Sequence, residues 1–233
     1  MKLSILMPVY NEVATLERAV KEALAVDYGC EFELVIVDDG STDGTRDLFP
    51  AFAGDQRISV HMHDMNRGKG AAVRTAVDAA TGDYMITLDA DLEYAPGEIP
   101  LLLEPVLRGE AEVVFGVRTF SSHNSYSYLY VLGNKAVTTA TNLLFNCYLR
   151  DVETCYKLIP ASLYRELDIR ETGFATEVEV TAKMLHRGIR PYEVPISYKA
   201  RSREAGKKIT WRDGVEAIAV LLRLRYSRRS RSY

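Results

Sequence analysis

Residues 84–93 have the sequence YMITLDADLE, an apolar run that ends in acidic residues. The run is typical of a buried strand, and on an extended backbone side chains two residues apart point to the same side, roughly 7 Å apart. Asp89 and Asp91 would then repel each other unless a cation lay between them. Because oxygen-only ligands favour Mg²⁺ or Mn²⁺ over zinc, we predict that Asp89 and Asp91 bind one of these ions, with Glu93 supplying a third oxygen. The other interpretation is a solvated acidic loop.

Strand-like and helix-like segments alternate on both sides of this stretch, over about the first 118 residues. Besides the strand that begins at residue 84, short apolar runs predict strands at 3–9, 33–40, 57–63 and 111–117. Apolar residues at helical spacing predict helices at 11–26, 42–52, 70–80 and 99–107. This alternation predicts an α/β fold with a mostly parallel sheet and helices on both faces.

Polar side chains follow the predicted strands at the points where the strands end. The groups are Tyr10-Asn11-Glu12, Asp38-Asp39, Asn66-Arg67 and Asp89/Asp91. In open α/β sheets, ligands bind beyond the carboxyl ends of the strands. We therefore expect these groups to converge on a ligand site at one edge of the sheet.

The segment NRGKG at residues 66–70 places a lysine between two glycines before a predicted helix. It is not a Walker loop, because the GxxxxGK[ST] spacing is absent, and no GxGxxG follows the first strand. A phosphate could still bind to Lys69 and to the free N–H groups of the helix. An ordinary turn is the other interpretation.

Composition and length indicate a globular protein with a sizeable core: 233 residues, 47% hydrophobic and 26% charged. No apolar run approaches the ~20 residues that span a bilayer. The three cysteines form no CxxC pair, which disfavours a zinc site or a disulfide framework and suits a reducing cytoplasm. Because the chain contains no internal repeats and no low-complexity linkers, we predict one domain over residues 1–233.

Charge is distributed unevenly along the chain. Residues 199–233 contain 11 Lys+Arg against 3 Asp+Glu, a net charge of +8, whereas the whole chain carries −3. A basic end on an acidic body suggests an anionic partner or, alternatively, a solubilising tail.

Four motifs in the first half occur in a familiar order. They are MPVYNE at 7–12, VDDGSTD at 37–43, NRGKG at 66–70 and DAD at 89–91. Together they resemble family 2 glycosyltransferases with the GT-A fold, which is Rossmann-like. Motifs in the second half are similar to the polyprenyl-phosphate sugar synthase branch, the relatives of dolichol-phosphate mannose synthase. These are GVR at 116–118, DVETCYK at 151–157, EVPISY at 193–198 and GKKI at 206–209.

The resemblance implies an inverting transfer of a hexose from a UDP- or GDP-linked sugar to a polyprenyl or dolichyl phosphate, with Mg²⁺ or Mn²⁺ as cofactor. Residues 1–118 would form the nucleotide-sugar-binding half of a single GT-A domain and residues 119–211 the acceptor half. Residues 212–233 would form an amphipathic helix and a basic tail. The lipid would be met by peripheral binding at the inner face of the cytoplasmic membrane, with no nucleic-acid partner. The oligomeric state stays open.

The resemblance also implies roles for individual residues. The nucleotide-sugar site would contain Pro8, Tyr10, Asn11, Glu12, Asp39, Lys69, Asp89, Arg201 and Lys207. The metal would be held by Asp89, Asp91 and Glu93. Asp91 and Arg118 would take part in catalysis, and Arg118 would contact the acceptor phosphate.

Three rival functions remain at this stage. A family 2 enzyme with a soluble hydroxyl acceptor would need a general base, for which Glu153, Glu177 and Glu179 are available. A nucleotidyltransferase usually carries a glycine-rich basic loop directly after its first strand, where this chain has Tyr10-Asn11-Glu12. A non-catalytic binding module would have no need of the Asp89/Asp91 pair. For the C-terminal helix, the alternative to membrane binding is packing on the core with solvated arginines.

Overall fold

The computed structural model describes residues 1–119, 128–173, 175–199 and 211–227. The strands are β1 Lys2–Val9, β2 Glu31–Asp38, β3 Ile58–Met62, β4 Tyr84–Thr87, β5 Val114–Arg118, β6 Lys157–Pro160 and β7 Tyr192–Ile196. The α-helices are α1 Leu16–Leu24, α2 Lys69–Ala79, α3 Ile99–Leu107, α4 Tyr128–Phe145, α5 Ala161–Glu166, α6 Thr176–His186 and α7 Trp211–Tyr226. Shorter 3₁₀ segments cover Thr45–Phe52 and Pro96–Glu98.

The seven strands form one sheet in the order β3-β2-β1-β4-β6-β5-β7. Every neighbouring pair is parallel except the two pairs made by β6, which runs antiparallel to both β4 and β5. The predicted α/β class and the mostly parallel sheet are therefore confirmed. Neither β6 nor α5 was predicted, because the four-residue strand KLIP is too short to show a period of two.

The core lies on both faces of the sheet, as the alternation of side chains along β1 requires. Leu3, Ile5 and Met7 point to the face covered by α1 and α3, whereas Leu6 points to the face covered by α2. Each of these side chains is fully buried, which stabilises the fold by about 1.5–3 kcal/mol per residue. The helices on both faces confirm the predicted layer arrangement.

A third apolar cluster joins α4, α6 and α7, and it holds α7 against the body through Ala217 and Leu221. One stripe of this helix therefore packs on the core, and membrane binding by the rest of it stays a prediction. An opposite stripe of α7 faces outward, with Val215, Leu222 and Tyr226 exposed. In the part of the chain that the structure describes, no helix has the length and apolar content to cross a bilayer.

Beyond β4, the acidic segment departs from the predicted extended backbone. The strand ends at Thr87, and Asp91 lies in a turn in which Leu92 adopts a left-handed φ of 62°. The expected alternation of Asp89, Asp91 and Glu93 on one side of a strand is therefore wrong. The turn still begins at the carboxyl end of β4, the edge where the parallel strands β1, β2 and β5 also end.

Candidate active site

The loop after β1 is tied to the loop after β2 by hydrogen bonds. The backbone N–H of Asn11 donates to Ser41 Oγ at 2.9 Å, and Asn11 Oδ1 accepts from the Thr42 N–H at 2.8 Å. The Glu12 N–H donates to Thr45 Oγ1 at 2.9 Å. Asn11 has a φ of 53°, a conformation that asparagine tolerates better than most residues. Its side chain therefore joins the two loops that the sequence predicts to surround a nucleotide.

Asp39 is only 2% exposed and accepts several hydrogen bonds. Oδ1 lies 2.7 Å from His63 Nδ1 and accepts the Arg67 N–H at 3.0 Å, and Oδ2 accepts the Gly68 N–H at 2.8 Å. Asp39 directly follows β2, as predicted, and is buried there by these partners. Its carboxylate links the end of β3 to the start of α2, and its contact with a nucleotide stays a prediction.

The N-terminus of α2 is covered by the segment 171–173. The Gly70 N–H donates to Thr172 O at 2.8 Å, and a Cβ on Gly68 or Gly70 would overlap the carbonyl oxygens of Thr172 or Glu171. The two glycines of NRGKG therefore permit a close approach of backbone to backbone. A phosphate site on free N–H groups of this helix is not supported, because the Gly68 and Gly70 N–H groups already donate within the protein.

Lys69 lies in a buried cluster of alternating charges. Its Nζ is 2.7 Å from Asp89 Oδ2, 3.2 Å from Cys155 Sγ and 3.9 Å from Glu177 Oε1. Glu177 Oε2 is 2.7 Å from Lys157 Nζ, and the Cys155 thiol lies 3.0 Å from Asp89 Oδ2. Burial opposes the charge on Lys69, but Asp89, Cys155 and Glu177 outweigh it and hold its pKa well above the usual value. Burial and Asp89 raise the pKa of the Cys155 thiol.

The acidic turn suits a cation that takes only part of its ligands from the protein. Asp91 Oδ1 accepts the Glu93 N–H at 3.0 Å, and the carboxylate of Glu93 accepts the hydroxyl of Tyr198. Within the described ranges, no three His, Cys, Asp or Glu side chains are grouped so that they could hold a metal ion. Mg²⁺ is commonly held by one or two carboxylates together with substrate phosphates. Asp89, which already attracts the ammonium of Lys69, and Asp91, in the same turn, have the carboxylate chemistry that such an ion takes.

Arg118, at the end of β5, is engaged by Asp151. Its Nε and Nη2 donate to the two carboxylate oxygens at 2.6 and 2.7 Å, and its guanidinium lies 5.0 Å from the ring centre of Tyr198. Burial works against ionising Asp151, yet Arg118 outweighs it and lowers the pKa of that carboxyl. Because the hydroxyl of Tyr198 also donates to Glu93, Arg118 and Tyr198 together connect the end of β5 to the acidic turn. Contact of Arg118 with an acceptor stays a prediction.

The three glutamates available as general bases differ in their surroundings. Glu177 is paired with Lys157, and Glu179 lies 2.8 Å from Lys183. At Glu153, burial raises the pKa of the carboxyl and Arg118 partly offsets that effect.

Comparison with known families agrees with the motifs. Residues 4–167 match the family described as Glycosyl transferase family 2. The chain belongs to this family. Its sheet and helices are the GT-A arrangement, and the carboxyl edge is where a family 2 site is expected.

Two relatives within family 2 illustrate the likeness. An undecaprenyl-phosphate 4-deoxy-4-formamido-L-arabinose transferase from Pseudomonas aeruginosa is 36% identical over 151 residues, which are 63% of this chain and 44% of that protein. Glycosyltransferase AglJ from Haloferax volcanii is 28% identical over 198 residues, 84% of this chain and 63% of that protein. The chain thus spans about half to two thirds of the length of these relatives.

A solved structure shares the fold. Glucosyl-3-phosphoglycerate synthase from Mycobacterium tuberculosis, in complex with Mg²⁺ and uridine diphosphate, superposes with a TM-score of 0.71 at 20% identity. The match covers 96% of this family 2 chain and 79% of that chain.

Parallel strands bring most of the predicted residues to one edge. Most of them follow the carboxyl ends of β1, β2, β4 and β5, and one lies at the start of α2. They are Tyr10, Asn11, Glu12, Asp39, Lys69, Asp89, Asp91, Glu93 and Arg118. Pro8 is buried inside β1. Arg201 and Lys207 lie outside the described residues.

Sequence reasoning gave no role to several residues that complete the site. They are Asp151, Cys155, Lys157 and Tyr198, which contact Arg118, Lys69, Glu177 and Glu93. All four belong to the family 2 branch motifs DVETCYK and EVPISY, so the available signal was the motif itself.

Proposed function

We propose that this chain is a metal-dependent, inverting glycosyltransferase that moves a hexose from a UDP- or GDP-linked sugar to a polyprenyl phosphate. The observation that carries the proposal is the Lys69–Asp89 ion pair, with Asp91 two residues further along the same turn, at the carboxyl edge of a family 2 sheet. The Pseudomonas relative, whose name specifies an undecaprenyl-phosphate acceptor, supports the acceptor class.

The donor would bind with its diphosphate beside the acidic turn. Mg²⁺ or Mn²⁺, held by Asp89 and Asp91 with support from Glu93, would supply positive charge to the leaving diphosphate. Lys69 would add a second positive charge from the same side. The loops joined by Asn11 would enclose the base and ribose, so that Tyr10, Glu12 and Asp39 line that pocket and water is excluded from it. Pro8 would shape the pocket floor, and Arg201 and Lys207 would approach the diphosphate from the segment that follows β7.

The acceptor phosphate requires no strong base, because it is already ionised at neutral pH and needs only orientation towards the anomeric carbon. Arg118 would orient it from the end of β5. The pairing of Glu177 and Glu179 with lysines favours this acceptor, since both carboxylates are already engaged within the protein. The second candidate is a hydroxyl acceptor, and the raised pKa of Glu153 is the observation that favours it.

Peripheral binding to an anionic membrane surface is part of the proposal. Val215, Leu222 and Tyr226 form an exposed apolar stripe at helical spacing on α7. The exposed Arg223, which pairs with Glu171, and Arg225, which lies over the ring of Phe145, flank the stripe. Such a helix can lie at the headgroup boundary with its arginines against anionic lipid. Val215→Ser and Leu222→Ser together should weaken sedimentation with phosphatidylglycerol vesicles, while Leu143→Ser on α4 serves as the matched exposed control.

The function is tested by offering the chain UDP- and GDP-sugars with Mn²⁺ and either a short polyprenyl phosphate or the corresponding prenyl alcohol. Mass spectrometry of the lipid fraction should detect a prenyl-phosphate hexose and no hexosylated alcohol. Product on the alcohol alone, with loss of that product in Glu153→Gln, would establish the hydroxyl-acceptor candidate instead. Transfer of a nucleotidyl group would contradict both.

A further inference from the structure

The cluster around Lys69 contains a lysine with two carboxylates within reach. Its Nζ lies 2.7 Å from Asp89 and 3.9 Å from Glu177, and the second distance is about 1 Å longer than a hydrogen bond. Glu177 is in turn held by Lys157 at 2.7 Å. The order along the cluster is therefore Asp89, Lys69, Glu177, Lys157, with alternating sign.

Because the charged groups of this cluster are buried, each needs an oppositely charged partner within the protein. The side chains of Lys69, Glu177 and Lys157 are 16%, 10% and 3% exposed. A buried ammonium that leaves one carboxylate must find another, because little water is present to replace it. Among the described residues, Glu177 is the second carboxylate within 4 Å of Lys69 Nζ.

A divalent cation at Asp89 would compete with that ammonium. Both would approach Asp89 within a few ångströms of each other, and like charges at such distances in a site of low dielectric repel strongly. Metal binding at Asp89 therefore requires Lys69 to move, and a shift of about 1 Å closes its contact with Glu177.

We propose that Lys69 is a resident counter-cation that passes from Asp89 to Glu177 when a divalent metal binds, and that Lys157 sets how readily Glu177 receives it. Glu177 and Lys157 are then positioning residues that act on the metal through Lys69. This inference rests on the proposed metal-dependent function. It assigns a role in metal binding to the Glu177–Lys157 ion pair, which could otherwise be purely structural.

The test is Mn²⁺ binding to the full chain, measured from the electron paramagnetic resonance signal of free MnCl₂, with and without UDP. Glu177→Gln should weaken Mn²⁺ binding by about fivefold, because Lys69 then stays on Asp89. Lys157→Met should strengthen it by a similar factor, because Glu177 is no longer shared. Lys69→Met should strengthen binding of the metal alone and abolish the effect of Glu177→Gln.

Lys183→Met is the matched control, since Lys183 forms a comparable ion pair with Glu179 on the same helix, at 2.8 Å. It should leave Mn²⁺ affinity unchanged. Thermal unfolding shows whether Lys157→Met folds. If it does not, the double variant Lys157→Met/Glu177→Gln replaces it, because that variant removes both charges of the pair and leaves neither one buried alone. That variant should bind Mn²⁺ as Glu177→Gln does, because the proposal gives Lys157 its effect through Glu177; weaker binding than in Glu177→Gln would instead trace the effect to Val152 O and Thr154 O, to which Lys157 Nζ also donates.

Opposite shifts for Glu177→Gln and Lys157→Met support the proposal, since a structural role would weaken binding in both. Shifts in the same direction, or weaker metal binding in Lys69→Met without UDP, would overturn it while the proposed function stands. If the wild-type chain bound no Mn²⁺ even with UDP, the metal assignment of the proposed function would fail as well.

Discussion

Two lysine–carboxylate pairs at opposite edges of the sheet have the same length and different surroundings. At the amino edge, Lys2 Nζ lies 2.7 Å from Glu33 Oε2, and at the carboxyl edge Lys69 Nζ lies 2.7 Å from Asp89 Oδ2. Glu33 also accepts hydrogen bonds from Ser4 Oγ at 2.6 Å and from the Thr81 N–H and hydroxyl at 2.5 and 2.8 Å. Its oxygens are thus engaged by a closed set of donors.

The pair at the carboxyl edge is open by comparison. Asp89 has a lysine and a weakly donating thiol as partners, and Lys69 has a second carboxylate within 4 Å. A closed set of donors holds Glu33, whereas Lys69 has a second carboxylate near its first. Ion pairs of the same length can therefore differ in how many other partners their groups have within reach.

The largest expected effect concerns Asp91, which lies in the half-buried turn beside Asp89. Asp91→Ala should reduce glycosyl transfer by roughly a thousandfold or more, because a charge-assisted ligand at the diphosphate is lost. Transfer rates with a short polyprenyl phosphate measure this, and removal of metal by EDTA should have the same effect. Glu33→Gln should retain transfer, and full activity in EDTA would refute metal dependence.

The second largest effect is expected at Arg118, because its removal leaves the buried carboxylate of Asp151 without its cationic partner. Arg118→Ala should cost about 3–5 kcal/mol of the free energy of unfolding, measured by urea denaturation. The double variant Arg118→Met/Asp151→Asn should regain much of that stability. If it also shows a raised KM for the polyprenyl phosphate with an unchanged KM for the donor, Arg118 contacts the acceptor. A normal acceptor KM would assign it a structural role alone.

Asp39→Ala should destabilise the chain by about 2–3 kcal/mol, because it leaves His63 and the N–H groups of Arg67 and Gly68 without their acceptor. Urea denaturation measures the loss, and calorimetry with UDP and GDP measures any separate loss of binding. Asp27→Ala, at an exposed carboxylate, provides the control for a surface change. Unchanged stability would contradict the network described above.

The smallest expected effect is the loss of stability on changing Glu33 at the amino edge, and it should depend on pH. Burial opposes ionisation of Glu33, but Lys2, Ser4 and Thr81 outweigh it and lower its pKa from 4.5 to about 2. A carboxyl with a lowered folded-state pKa contributes stability that is complete above about 4.5 and is lost as pH falls through about 2. Glu33→Gln should therefore cost about 1–2 kcal/mol at pH 7 and almost nothing near pH 2. A loss independent of pH would exclude the ionic explanation.

Local patterns predicted most of the elements. The apolar runs at β1 and β2 and the helical spacing in α1 and α2 were visible because each element repeats within a few residues. The class of sheet followed from the alternation of such elements. The four-residue β6 carries too few residues to show a period, so neither its antiparallel direction nor its place between β4 and β5 could be predicted.

The candidate site was predictable in its location and only partly in its contacts. Polar residues after parallel strands must meet at one edge, which predicts that Asp39 and Asp89 lie there, and the family resemblance adds Arg118. Their partners could not be found in this way. The burial of Asp39 beside His63, for example, depends on how β3 and α2 pack together.

The alternating elements, the edge where the acidic turn lies and the family of the chain can all be predicted from the sequence alone. The pairing of the buried charges follows instead from how distant elements pack. Lys69 meets Cys155 across 86 residues and Arg118 meets Asp151 across 33, and no periodicity of the chain encodes such pairs. The physical reason is that secondary structure arises from neighbours along the backbone, whereas a buried charge is stabilised by whichever partner the packing of distant elements brings within hydrogen-bond reach.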